Sequence, residues 1–203
     1  MTKSKKRERV LGFEETYMVG FRDLPGIVTK TCAHAYFEEV LMYSKFRLRE
    51  SVENDTTFKQ IIPYTIITSG NDVLVYERAQ KGGDPRLQGL YSIGVGGHIN
   101  PHDDRDKREN AVSVCSWREL DEELKFSPRI EHYDRKLKTL GFLYLEDTAV
   151  SKVHFGVIQE LEYRGDVFPN SREVASIGWA DKSRVVELNL EGWSKIIAEE
   201  LFK

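Results

Sequence analysis

The segment Arg118-Glu119-Leu120-Asp121-Glu122-Glu123 constrains this chain more than any other, because it sets three glutamates on one side of a predicted helix. At ~100° per residue, Glu119, Glu122 and Glu123 fall within an arc of roughly 100°, while Val114, Trp117, Leu120 and Leu124 point broadly the other way. Like charges at such spacing destabilise a helix by about a few tenths of a kcal/mol per pair, so they need an offset. A hard divalent cation with oxygen ligands supplies one. A solvated acidic face, with Arg118 paired to Glu122 one turn on, supplies another.

Upstream, Tyr91-Ser92-Ile93-Gly94-Val95-Gly96-Gly97-His98 reads as a strand running into glycines. A polar loop follows, and then a helix whose first turn carries Glu109 and Asn110. On these residues the chain resembles the Nudix hydrolase superfamily. That signature is Gly, five residues, Glu, seven residues, Arg-Glu, a bulky apolar residue, any residue, Glu-Glu, any residue, Gly and a bulky apolar residue. Gly97, Arg118, Glu119, Leu120, Glu122, Glu123 and Phe126 match it. The looser resemblance runs from about Ile61 to Trp179.

Three departures accompany the match. Gly97 and Arg118 are further apart than the signature allows, which predicts a seven-residue insertion within 99–108. The isolated Glu of the signature falls on Asn110, with Glu109 next to it as a substitute. Lys125 stands where the signature has its second Gly, so the helix exit that φ > 0 would allow must be built otherwise, with Pro128 a candidate terminator.

The resemblance implies an α/β fold, an α/β/α sandwich on a mixed β-sheet, and divalent-metal-dependent hydrolysis of a phosphoanhydride (pyrophosphate) bond in a nucleoside diphosphate derivative. It implies Glu119, Glu122 and Glu123 as ligands of Mg²⁺ or Mn²⁺, with Gly97 letting backbone approach the metal or phosphate. Arg118 would orient a catalytic carboxylate. Glu122 and Glu123 carry the catalytic expectation with it, and Glu123 is the first choice for general base because a metal-adjacent carboxylate can hold a water. Glu109, Glu146, Asp147, Glu160, Glu162 and Glu173 are other acids for that role, each read more simply as a surface acid. His98, Arg78, Arg86 and Glu109 are weaker substrate candidates. For His98, a structural hydrogen bond at a strand end is the plainer reading, and His102 with Asp103, Asp104 and Asp106 reads as a solvated loop.

Two other functions compete. The displaced Glu and the absent Gly suit a non-catalytic nucleotide-binding or regulatory module. A prenyl diphosphate isomerase would need a catalytic Cys away from the acidic helix, and Cys32 in the extension and Cys115 inside the helix do not provide one.

A net charge of -3 argues against a nucleic-acid-coating surface. Two cysteines make no disulfide framework, and the basic N-terminus lacks the apolar run of a signal peptide. No stretch reaches membrane-spanning length. A cytoplasmic protein acting on a small molecule is the expectation. Residues 1–57 read as a charged tail, disordered to about residue 10, and an extension with an amphipathic helix at Ala33–Tyr43, covered by Met18, Phe21, Leu24 and Ile27. The extension caps the main domain, forms a homodimer or shapes the pocket, and sequence leaves these open. Residues 58–203 read as the hydrolase domain: strands at Ile61–Thr68 and 73–76 joined by a Ser69–Asp72 turn, a glycine-rich loop at 81–86, the signature, further strands at Leu140–Leu145, Val153–Leu161 and Ala175–Trp179, and a helix at Leu190–Leu201.

Overall fold

Residues Phe58–Ser69 are buried almost without interruption, which is the pattern of a strand covered on both faces rather than one alternating between core and water. This strand, β4, belongs to a computed structural model that describes residues 8–21, 26–29, 31–79, 89–105, 110–130 and 136–202. The fold is mixed α/β. By compactness the chain divides into two units, 1–64 with 97–116 and 139–158, and 65–96 with 117–138 and 159–203.

The first unit begins with strand β1 (Arg9–Glu14) and a 3₁₀ turn at Glu15–Gly20. Strand β2 (Gly26–Val28), helix α1 (Thr31–Tyr43), strand β3 (Lys45–Leu48) and a single helical turn, α2 (Arg49–Val52), follow. β1 lies antiparallel to β3 and to the start of β4. At Gly12 an added Cβ would stand 2.4 Å from the Lys59 carbonyl oxygen and 2.4 Å from the Phe58 ring, so only a residue without one lets β1 approach β4 this closely. α1 buries Ala33, Phe37, Val40 and Leu41, one stripe at helical spacing. Phe37 meets Phe142 of strand β9 (Lys138–Tyr144) at 4.8 Å between ring centroids, and Phe21 meets Phe155 of strand β10 (His154–Glu162) at 4.9 Å. Phe13 joins the same core.

The second unit holds the remainder of β4, strands β5 (Asp72–Arg78), β6 (Tyr91–Ser92) and β7 (Gly94–Gly96), the end of helix α3 (Ala111–Glu123), and strand β8 (Leu124–Ser127). Strands β11 (Asp166–Pro169) and β12 (Val174–Asp181) and helix α4 (Gly192–Leu201) complete it. β12 and β6 each pair antiparallel with β5, and β8 pairs with β11. The core here gathers Ile67, Leu74, Tyr76, Trp117, Leu120 and Leu124. Buried Tyr76 donates to the Gly94 carbonyl at 2.9 Å, and burial pushes its phenol well above the ordinary range.

Several expectations change. β1 begins at Arg9, with Val10 fully buried, so the tail is not disordered up to residue 10. Val114 is exposed rather than core-facing. Leu190 does not open the last helix; it bridges to Tyr91, and α4 starts at Gly192 behind the Glu191 cap. Leu24, the loop at 81–86 and residues 1–7 lie outside the described residues. Among the described residues, no helix is long and apolar enough to cross a membrane.

Candidate active site

α3 owes its two characters to its sequence. Ala111, Val112 and Cys115 are buried in the first core and Trp117 and Leu120 in the second, while Asp121 and Glu122 are exposed. The last turn carries three acidic residues and no basic one. That is the unfavourable sign for the negative end of a helix dipole, and it falls where the sequence places the ion.

Arg118 closes on two of the three glutamates. Its Nη1 donates to Glu119 Oε1 at 2.6 Å and lies 3.3 Å from Glu122 Oε1. The Glu119 side chain is 16% exposed and that of Glu122 58%, so the Glu122 pair is a solvated contact worth only a few tenths of a kcal/mol. This is the pairing expected of a plain acidic face. Among the described residues, no three His, Cys, Asp or Glu side chains stand grouped as a ready-made ion site.

Glu123 behaves differently. Among the described residues, its Oε2 is the one buried carboxylate oxygen with no hydrogen-bond partner. Burial pushes its carboxyl up to about 7; Arg78 pulls the value down, and the carboxylates of Glu173, Glu119 and Glu122 raise it again. A carboxylate that has lost water without gaining donors is a strong acceptor for a proton or a hard cation. Glu123 Oε2 is thus an oxygen open to a hard cation, although the neighbouring glutamates are not gathered around it as a ready-made site.

Arg78, expected as a substrate contact, is built into this neighbourhood. Its Nε donates to Ser92 Oγ at 3.2 Å, and its guanidinium lies 5.2 Å from the Tyr76 ring centroid. The next residue, Ala79, donates its backbone N–H to the Glu173 carbonyl at 2.9 Å. Of the scattered acids singled out in the sequence, Glu173 has a charge that raises the Glu123 carboxyl. Arg86 and Glu109 lie outside the described residues.

In the first unit, Gly97 offers its carbonyl to Cys115 Sγ at 3.8 Å. His98 makes the structural bond expected of it: its Nε2 lies 2.9 Å from Gln60 Oε1 and 3.3 Å from His154 Nε2. His154 Nδ1 is 2.8 Å from the Val150 carbonyl, and Gln60 Nε2 donates to Val52. The insertion is less solvated than expected. Ile99 is fully buried and its carbonyl accepts from Leu11, while Asp103 is buried and takes the Asn100 N–H at 2.9 Å. Asn100 Oδ1 accepts the His102 N–H at 3.0 Å, an Asx turn, and the Asn100 carbonyl accepts the Asp103 N–H at 3.0 Å, so residues 100–103 are ordered; Asp106 lies outside the described residues.

The helix exit also differs. α3 stops at Glu123 and passes directly into β8, so Pro128, which follows a cis peptide bond, does not end it. Asn170 does the work of closure. Its backbone N–H donates to the Glu123 carbonyl at 2.8 Å and its Nδ2 to the Asp121 carbonyl at 2.7 Å. Sequence reasoning missed this residue. Pro169-Asn170-Ser171 signals a turn, but nothing local reveals which helix the turn caps.

No protein-family model matches the chain. The protein YmaB of Bacillus subtilis (strain 168) is 31% identical over 159 residues, spanning 75% of this chain and 76% of that protein. The crystal structure of "Tm1382, a putative Nudix hydrolase" is 30% identical, covers 96% of this chain and 98% of its own, and has a TM-score of 0.74. A bifunctional NMN adenylyltransferase/ADP ribose pyrophosphatase from Francisella tularensis, complexed with AMP and a Mn ion, has a TM-score of 0.52 at 12% identity, covering 70% of this chain and 41% of that one. The last is a likeness of fold alone.

Proposed function

The chain belongs to the Nudix hydrolase superfamily, and from that premise we propose that it cleaves a phosphoanhydride bond in a nucleoside diphosphate derivative with Mg²⁺ or Mn²⁺. The observation that carries this reading is Glu123, with a buried oxygen lacking a donor and a proton affinity brought close to neutrality. Glu119 and Glu122, its neighbours along the helix, would serve as further oxygen ligands. A bound divalent ion supplies neutralisation of the diphosphate and a lowered pKa for its water.

The chain's own groups account for the rest. Glu123, the buried carboxylate of the cluster, would take the proton from the attacking water as general base. Arg118 holds Glu119 in one orientation through the 2.6 Å bond, and a charged bond of this kind fixes direction as well as energy. Arg78 meets developing phosphate charge from its place beside Tyr76. We infer a cytoplasmic location, in keeping with two cysteines present as thiols.

ADP-ribose is the first substrate to try, since the pyrophosphatase among the structural neighbours is named for it. The test sets the protein against ADP-ribose, nucleotide sugars, dinucleoside polyphosphates and nucleoside triphosphates, with Mn²⁺ or Mg²⁺ and in parallel with EDTA. Metal-dependent turnover of at least one diphosphate is expected. Tight binding with no turnover anywhere in the panel would make the chain a nucleotide-binding module instead.

A further inference from the structure

We infer that Asn170 is a positioning residue for the carboxylates at the end of α3, standing in for the glycine exit that Lys125 replaces. This rests on the hydrolase reading above. A helix leaves its last carbonyls without intrahelical partners, and the usual remedy is a residue with φ > 0 just past the end, whose N–H groups fold back onto them. Among the described residues the positive-φ positions are Gly26, Gly70 and Gly89, none of them near α3. The chain instead runs straight from Glu123 into β8.

Asn170 provides the donors from elsewhere in sequence. One comes from its backbone and one from its side chain, and they reach the carbonyls of Glu123 and Asp121 at 2.8 and 2.7 Å. Its own position is fixed on both sides. β11 pairs with β8 in a register that sets Pro169 opposite Leu124, and on the other side Ser171 Oγ accepts the Glu173 N–H and the Glu173 carbonyl accepts from Ala79. The clip thus joins the carboxylate-bearing turn to the end of β5, next to Arg78. These two donors also face the negative end of a helix whose last turn carries no basic residue of its own. Without them that turn frays, and the direction of Glu122 and Glu123 frays with it.

Asn170→Ala removes the side-chain donor, and Asn170→Asp keeps the shape while setting a carboxylate against a carbonyl. Mn²⁺ affinity, measured from the electron paramagnetic resonance of the unbound ion, is expected to fall about fivefold in the first variant and further in the second. kcat should fall with KM unchanged, and amide exchange should quicken at residues 119–124 while α4 keeps its wild-type protection. Wild-type Mn²⁺ affinity in both variants overturns the inference, with or without faster exchange, since Asn170 would then serve stability alone. A wild-type protein that takes up no Mn²⁺, yet shows the exchange response, places the failure in the hydrolase reading and leaves Asn170 no ion to position.

Discussion

Glu191 and Glu123 are two glutamates withdrawn from water at opposite ends of helices, and they meet opposite fates. Glu191 caps the start of α4, where it accepts from the Trp193 N–H at 3.1 Å, the Ser194 N–H at 3.0 Å and the Ser194 hydroxyl at 2.6 Å. The helix end there is positive and rich in donors, so burying the charge costs little. Glu123 sits at the negative end of α3 among other acids, with an oxygen that has no donor. The first arrangement stabilises the fold. The second leaves a carboxylate short of donors, the kind of perturbed setting in which functional acids are found.

The comparison breaks most sharply at Glu123. Glu123→Gln should reduce metal-dependent turnover by about a thousandfold, measured on whichever diphosphate the wild-type protein cleaves, because it removes both the carboxylate charge that attracts the ion and the base. The metal-free variant should be at least as resistant to urea as the wild type above neutral pH. Retained turnover would return Glu123 to the structural class.

A second, smaller effect lies in the pH dependence of stability. With its folded-state carboxyl at about 7 against an ordinary 4.5, the folded protein holds this proton more tightly than the unfolded chain does. Stability of the metal-free protein therefore falls as pH rises from about 4.5 and levels off above about 7, a loss of about 3 kcal/mol from this group. Urea midpoints between about pH 5 and pH 8 in EDTA should show the fall, and saturating Mn²⁺ should reduce it. A flat profile in EDTA would deny Glu123 its burial. Smallest is the cost of Glu191→Ala, about 1–2 kcal/mol of unfolding free energy for a lost cap, with turnover per folded molecule retained.

Much of this was legible in the sequence, for reasons visible in particular residues. α1 was found at Thr31–Tyr43 where its apolar spacing placed it, and the Ser69–Asp72 turn was read from Gly70, whose φ is +60°. The long strands rich in β-branched residues were likewise found. The short strands β1, β3, β8 and β11 were not. Their residues follow no long period, and their pairing is decided by partners elsewhere in the chain, as when Phe168 opposes Lys125. The signature points to Glu119, Glu122 and Glu123 as the carboxylates to test. It singles out Glu123 as first choice for base but does not reveal the burial of Glu123 against the exposure of Glu122, which depends on the surroundings rather than on the signature. Asn170 was missed for the same reason.

The bonds around His98 also fix a direction. The Val150 carbonyl can only accept, so the hydrogen of a neutral His154 resides on Nδ1 and its Nε2 presents a lone pair. The shared hydrogen then belongs to His98 Nε2, directed at both Gln60 Oε1 and His154. A backbone oxygen at residue 150 thereby sets the polarity of a relay that ends beside Gly97. Adding a proton to His154 would set two N–H groups against each other across the 3.3 Å contact, so this arrangement opposes it.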